Sequence, residues 1–145
     1  MNIPIFSYHS ISDDKCPLST DTKEFEKHLI YLKKNDYKSI FFDEVSSLNK
    51  RNFIMTFDDG YKDLISNCLP LLKKYNFKAT CFLVSDKIGK INDWDEENKN
   101  IITKKIMDKS DIHIWIKNGM KIGSHSKNHK KLTKIDHDEL SNEIA

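Results

Sequence analysis

Two short polar segments, Thr56-Phe57-Asp58-Asp59-Gly60 and Ser124-His125-Ser126-Lys127-Asn128-His129, carry the residue types that bind and use a metal ion. The first supplies adjacent carboxylates and the second supplies two imidazoles. Placed on a single helical turn, His125 and His129 lie on one face and can grip one ion. Asp plus two His leaves positions open for water and substrate, which is the pattern of a catalytic site rather than a closed structural one. Neighbouring side chains on an extended backbone point apart, so Asp58 and Asp59 are placed for different jobs.

Each segment alone has a plainer reading. Asp-Asp-Gly is common in turns for backbone reasons, and an HxxxH spacing arises by chance in solvated loops. His9 follows an apolar strand, so it reads equally as a buried, hydrogen-bonded histidine and as a catalyst. Trp94 and Trp115 could line a sugar platform, but large aromatics more often belong to cores or contacts. His28, His113 and His137 lack partners at ligand spacing and read as structural or exposed. No P-loop, GxGxxG or nucleophile elbow occurs, which argues against nucleotide binding and serine hydrolysis.

The elements that must position these groups alternate between strand-like and helix-like runs, the pattern of an α/β sheet or barrel with helices outside parallel strands. Strands are expected near Ile3 to Tyr8, Ser39 to Phe42, Asn52 to Phe57, Ala79 to Val84 and Met120 to Gly123. A helix with Phe25, Leu29 and Leu32 inward starts near Asp21 and runs to about Asn35. A second follows the double aspartate with Leu64, Cys68, Leu71 and Leu72 inward, kinked or shortened by Pro70. A longer helical stretch leads to Asn118-Gly119, and a last helix begins near Asp136. In parallel α/β folds functional residues gather at strand C-terminal ends. Tyr8-His9-Ser10, Asp58-Asp59-Gly60 and Ser124-His125 all meet that rule, which favours one shared site. Five strands cannot close a barrel, so two edges should be exposed unless further chain or a second copy, as in a homo-oligomer, covers them.

The 145 residues suffice for one domain, 1–145, and show no composition shift that would mark a second. With 24 basic against 22 acidic residues the net charge is +2, which gives no electrostatic case for nucleic acid. Arg51 is the only arginine, although arginine dominates bidentate recognition of phosphates and base edges. Cys16, Cys68 and Cys81 are too irregularly spaced for a disulfide framework or a CxxC site, and Cys81 reads as a small core residue. No run approaches the ~20 apolar residues of a membrane span, and no export signal opens the chain. As written it is expected in the cytoplasm, or in the envelope or outside the cell if a leader was removed.

With these residues in view, the two motifs together resemble those of the polysaccharide deacetylases, the NodB-homology family of carbohydrate esterases (family 4). Tyr8-His9-Ser10-Ile11, Lys78-Ala79-Thr80-Cys81-Phe82 and Ile122-Gly123-Ser124 look like segments of the branch that deacetylates poly-N-acetylglucosamine. The resemblance spans nearly the whole chain and implies an α/β fold, an incomplete (β/α) barrel of the NodB-homology type with the site at strand C-terminal ends. It makes Asp59, His125 and His129 the metal ligands, Asp58 the general base and His9 the general acid. The implied cofactor is a divalent metal, zinc first, with Co2+, Ni2+ or Mn2+ serving in relatives. The implied reaction removes N-acetyl groups from an amino-sugar polysaccharide such as poly-N-acetylglucosamine, peptidoglycan or a chitin-like polymer. A related amide, as in deformylation or ring-amide hydrolysis, is a further alternative.

One departure qualifies this expectation. Family members continue with an Arg-Pro or Tyr-Pro-Tyr-Gly segment and an Asp-containing motif that shape the acetyl pocket, whereas this sequence ends before them. Arg51 precedes the aspartate strand and does not replace the family arginine. The domain is therefore expected to be truncated at its C-terminus. The alternative to an enzyme is an inactive fragment that binds metal or glycan only.

Overall fold

In the computed structural model, which describes residues 3–47, 50–95 and 98–144, eleven strands and α-helices follow one another along the chain. They are β1 (Ile5–Tyr8), β2 (Ser10–Ile11), β3 (Ser19–Thr20), α1 (Thr22–Lys34), β4 (Lys38–Ser39), β5 (Asn52–Phe57), α2 (Leu69–Tyr75), β6 (Thr80–Leu83), α3 (Lys109–Lys117), β7 (Lys121–Ser124) and α4 (His137–Ile144). The main sheet is parallel, in the order β1-β5-β6-β7, with β4 also paired to β5. All six residues of β5 are buried, as expected where a parallel strand is covered on both faces.

Backbone groups of successive strand residues point to opposite edges, and this determines who sits where. Ile54 and Asp58 donate to the Pro4 and Tyr8 carbonyls on one edge of β5, whereas the Arg51 and Phe53 carbonyls accept from Lys38 and Ile40 on the other. Thus β4 takes the start of the second edge, against Asn52 and Phe53, and β6 takes its end, against Thr56 and Phe57. The sheet finishes on β1 and β7, whose residues are mostly exposed. It does not close among the described residues, in line with the five-strand expectation.

The helices follow local chemistry. Asp21 caps α1 by accepting from the amides of Lys23 and Glu24, and Phe25, Leu29 and Leu32 are buried against the core. After β5 the expected second helix begins instead as a π turn, Leu64–Cys68, and becomes regular only where Pro70 occupies the first turn of α2. Pro70 cannot make the i→i−4 bond of an α-helix, and the turn before it is π rather than α. Its effect is a change of helix type rather than a break.

The long helix expected before Asn118 is confined to α3, opened by the Asp108–Asp111 capping box. The preceding residues spend their backbone groups on tertiary bridges, Ile91 to Lys105 and Tyr61 to Ile106, which preclude helical hydrogen bonding. Trp115 on α3 is fully buried, donates from Nε1 to the Lys121 carbonyl at 2.9 Å and stands edge-on to Phe57 at 5.9 Å. It is a core residue. No helix among the described residues is long and apolar enough to cross a membrane.

Candidate active site

At the end of β5 the Asp58 amide still donates to the Tyr8 carbonyl, and the chain then reverses within three residues. Asp59 has φ 70, and Gly60 N donates to the Asp58 carbonyl at 2.9 Å, closing a tight turn of a rare, strained kind around Asp59. Gly60 follows at φ 80, and a Cβ there would lie 2.5 Å from Leu83 Cδ2. Only glycine fits that position.

The turn drives the Asp59 carboxylate inward, to 1% exposure, while Asp58 stays half-buried with Oδ2 accepting from Ser7 Oγ at 3.1 Å. The two carboxylates have different surroundings, as expected, but through the turn at Asp59 rather than an extended backbone. Beneath them Cys81 is fully buried; burial, then the charges of Asp58 and Asp59, push its thiol up, so it is an inert core group.

The second segment is positioned by β7. His125 N donates to the Leu83 carbonyl, extending the ladder to β6 by one bond, and Ser85 and Asp86 donate to the carbonyls of Ser126 and Lys127. His125 and His129 do not share the helical turn expected from their spacing. They lie on a loop in which Ser126 and His129 both have φ 61 and His129 N donates to Ser126 Oγ. The loop nevertheless folds the rings to 5.0 Å between centroids, so the ligand geometry arises from a different backbone.

Among the described residues, five non-glycine residues have positive φ. Asp36 and Asn76 lie just past α1 and α2, where left-handed residues commonly end helices. The remaining three, Asp59, Ser126 and His129, are all at this site, which is where strained backbone collects when function holds it.

Asp59 Oδ1 lies 3.5 Å from His125 Nε2 and 3.3 Å from His129 Nε2, and one donor atom from each of the three residues falls within 4.8 Å of the others. A buried carboxylate oxygen facing two imidazole nitrogens is the donor set of a divalent first-row ion with open positions, so these residues fit such an ion. The groove beside them has a volume of about 1060 Å³ and is lined by Trp94, His125, His129, Lys131, Leu132 and Ile135 among others. Trp94 packs on His129 at 4.9 Å, and its buried Nε1 has no acceptor among the described residues. Trp94 therefore lines the groove while packing, half-buried, against the core.

His9 is half-buried in the link between β1 and β2. Tyr8 and Phe57 are paired across β1 and β5, so His9 and Asp58 are the residues that follow a matched pair on adjacent parallel strands. His9 lies outside the Asp-His-His group.

Sequence reasoning missed Glu143. This residue of α4 is 3% exposed, accepts from Asn128 N and Nδ2 at 2.8 Å each, and its carbonyl accepts from Lys127 N. It clamps the loop between the two histidines. A buried acid on an amphipathic helix was the available signal, but its partner is visible only in the fold. Burial raises the Glu143 carboxyl, and the Asn128 bonds together with the charge and backbone of Lys130 outweigh it, holding the group below its ordinary 4.5. A depressed carboxyl stabilises fully above the unfolded value and loses that contribution as pH falls through the folded one. Glu143→Ala should cost about 1–3 kcal/mol in urea melts at neutral pH, because Asn128 N loses its buried acceptor. The difference from the unsubstituted chain should shrink in acid below that 4.5.

Comparison with known proteins shows the family. A family model described as polysaccharide deacetylase matches residues 46–145. The YxkH protein of Bacillus subtilis (strain 168) is 32% identical over 150 residues, which cover 99% of this chain and 49% of that protein. The poly-beta-1,6-N-acetyl-D-glucosamine N-deacetylase of Staphylococcus epidermidis is 33% identical over 96 residues, covering 62% of this chain and 32% of that enzyme. In three dimensions the chain superimposes on the Streptococcus pyogenes deacetylase PplD, solved in complex with acetate, with a TM-score of 0.78 over 98% of this chain and 64% of that one. At 24% identity that likeness concerns the fold. The chain spans about half the length of YxkH and less of the staphylococcal enzyme.

Proposed function

This chain belongs to the polysaccharide deacetylase family, and on that premise we propose that it is a divalent-metal-dependent hydrolase removing N-acetyl groups from an amino-sugar polysaccharide. The observation that carries the reading is the convergence of buried Asp59 with His125 and His129, the two histidines lining an open groove. These three would hold the ion, zinc first, with cobalt, nickel or manganese compatible with the same donors. The chemistry such an ion supplies is Lewis acidity toward water and the acetamide carbonyl.

The chain's own residues do the rest. Asp58, turned away from Asp59, takes a proton from the attacking water, and His9 hands one to the leaving amine. The C–N bond breaks, and the products are acetate and a glucosamine unit. The staphylococcal relative is named for poly-beta-1,6-N-acetyl-D-glucosamine, which makes that polymer the first substrate to try. Trp94 offers an indole face for a sugar ring at the groove wall.

Purified chain should release acetate from N-acetylglucosamine oligomers, lose that activity to a chelator and regain it with added zinc. Acetate release that survives complete chelation would rule out the metal dependence. A second reading has the site bind metal or glycan without turnover. That reading expects stoichiometric zinc and no acetate from any oligomer.

A further inference from the structure

Lys104 makes contacts that the reaction scheme has not used. Its side chain is 12% exposed, and the ammonium reaches Ser10 Oγ at 2.5 Å, Asp14 Oδ2 at 2.6 Å, Ser19 Oγ at 2.9 Å and Asp63 Oδ2 at 3.3 Å. Ser10, fully buried, also donates to Asp63 Oδ2 at 2.7 Å, and Asp63 Oδ1 accepts from Ile11 N. One cation thus joins β2, β3 and the segment after the double aspartate. Burial raises the Asp14 carboxyl, and its bond to Lys104 and three further hydrogen bonds outweigh that, holding it well below the usual carboxylate range.

The backbone of the same residue is bonded to Asn92. Lys104 N donates to Asn92 Oδ1 at 2.5 Å, Asn92 N donates to the Lys104 carbonyl, and Asn92 Nδ2 donates to the Ile102 carbonyl. Asn92 is 2% exposed and stands two residues before Trp94, which packs on His129. Next to Lys104, Lys105 O and Met107 N bond to Lys62 N and Gly60 O, beside the Asp59 turn. Ser10 immediately follows His9. Hydrogen bonds, ring packing and short stretches of chain thus connect His9-Ser10, Lys104, Asn92, Trp94 and His129 in one path.

We propose that Lys104 is a positioning residue for the deacetylation reaction, tying the loop that carries the proton donor His9 to the segment that carries Trp94. This rests on the deacetylase reading given above. Effective catalysis needs donor and reacting amide held at near-contact geometry, and small misplacements are costly. A surface ion pair would not serve, because its long side chains remain free to move. Here the ammonium is enclosed and compensated by two carboxylates and two hydroxyls.

The test compares Lys104→Met and Lys104→Arg with the unsubstituted chain. For Lys104→Met, kcat for acetate release should fall roughly 10- to 100-fold with KM within about twofold and bound zinc unchanged. Lys104→Arg should recover most of the loss. Adding Lys104→Met to His9→Ala should slow the enzyme by no more than about twofold, since the second change acts through a group already removed. Multiplying losses, or a change in KM alone, would overturn the proposal.

Should Lys104→Met fail to fold, Ser10→Ala removes the Ser10 bonds to Lys104 and Asp63, leaves the ammonium on Asp14, Asp63 and Ser19, and carries the same comparisons. A second readout needs no activity: the His9 imidazole and Trp94 indole NMR signals of the metal-free chain should both shift in Lys104→Met and return in Lys104→Arg. Unmoved signals would overturn the proposal by themselves. Absence of acetate release from the unsubstituted chain would instead count against the deacetylase reading, with the NMR comparison still deciding the role of Lys104.

Discussion

Asp59→Asn should empty the metal site and lower kcat/KM for acetate release by roughly 10³-fold or more, the equivalent of several kcal/mol of Lewis-acid stabilisation. Asparagine is the substitution of choice because it matches aspartate in shape and tolerates the left-handed backbone found here at φ 70. What it removes is the charge. Asp59 is 1% exposed with Oδ1 between His125 Nε2 and His129 Nε2, so it supplies the only anion of the three-residue donor set. Two neutral imidazoles and an amide oxygen bind a dication far less tightly than a set containing a carboxylate. Metal content of purified protein, measured alongside acetate release and thermal melting, checks the claim. The folded chain should persist, and unsubstituted chain stripped by a chelator should match the variant in activity. Full zinc occupancy in folded Asp59→Asn would take Asp59 out of the ligand set.

Much of this site was legible because its parts lie at strand ends and strands are written in apolar runs. The Asn52-to-Phe57 run was bounded correctly at both ends, since Phe53, Ile54, Met55 and Phe57 give the near-continuous apolar run of a strand buried on both faces. The Asp21 cap and the inward set Phe25, Leu29 and Leu32 were equally readable from helical spacing. The histidine loop shows the limit of such reading. Four-residue spacing suggested a helical turn, but hydrogen bonds from Ser85 and Asp86 to the carbonyls of Ser126 and Lys127 engage the backbone that a helix would need. The same two rings meet by another route. Trp94 and Lys104 were opaque for a related reason: their roles depend on partners brought across from distant segments, His129 in one case and Ser10 and Asp63 in the other. Periodicity carries no information about those contacts.

Asp58→Asn tests the other half of the division of labour between the two carboxylates. It should lower kcat by about 10²- to 10⁴-fold, the range for losing a positioned general base, while metal content stays at the unsubstituted level. The geometry gives reasons for expecting that split. Asp58 is still held by the sheet, its amide bonded to the Tyr8 carbonyl, and its Oδ2 is oriented by Ser7 Oγ at 3.1 Å rather than by the histidines. Asp59, one residue on, has left the strand direction and turned inward. Asparagine at 58 can still accept from Ser7, so the side chain keeps its place and loses only its capacity to take a proton. Loss of zinc in Asp58→Asn would move Asp58 into the ligand set, and a fully active, metal-replete Asp58→Asn would remove it from the chemistry. A variant that keeps its metal but not its turnover, set against an Asp59→Asn that keeps neither, is the pattern that one ligand and one base require of two adjacent aspartates.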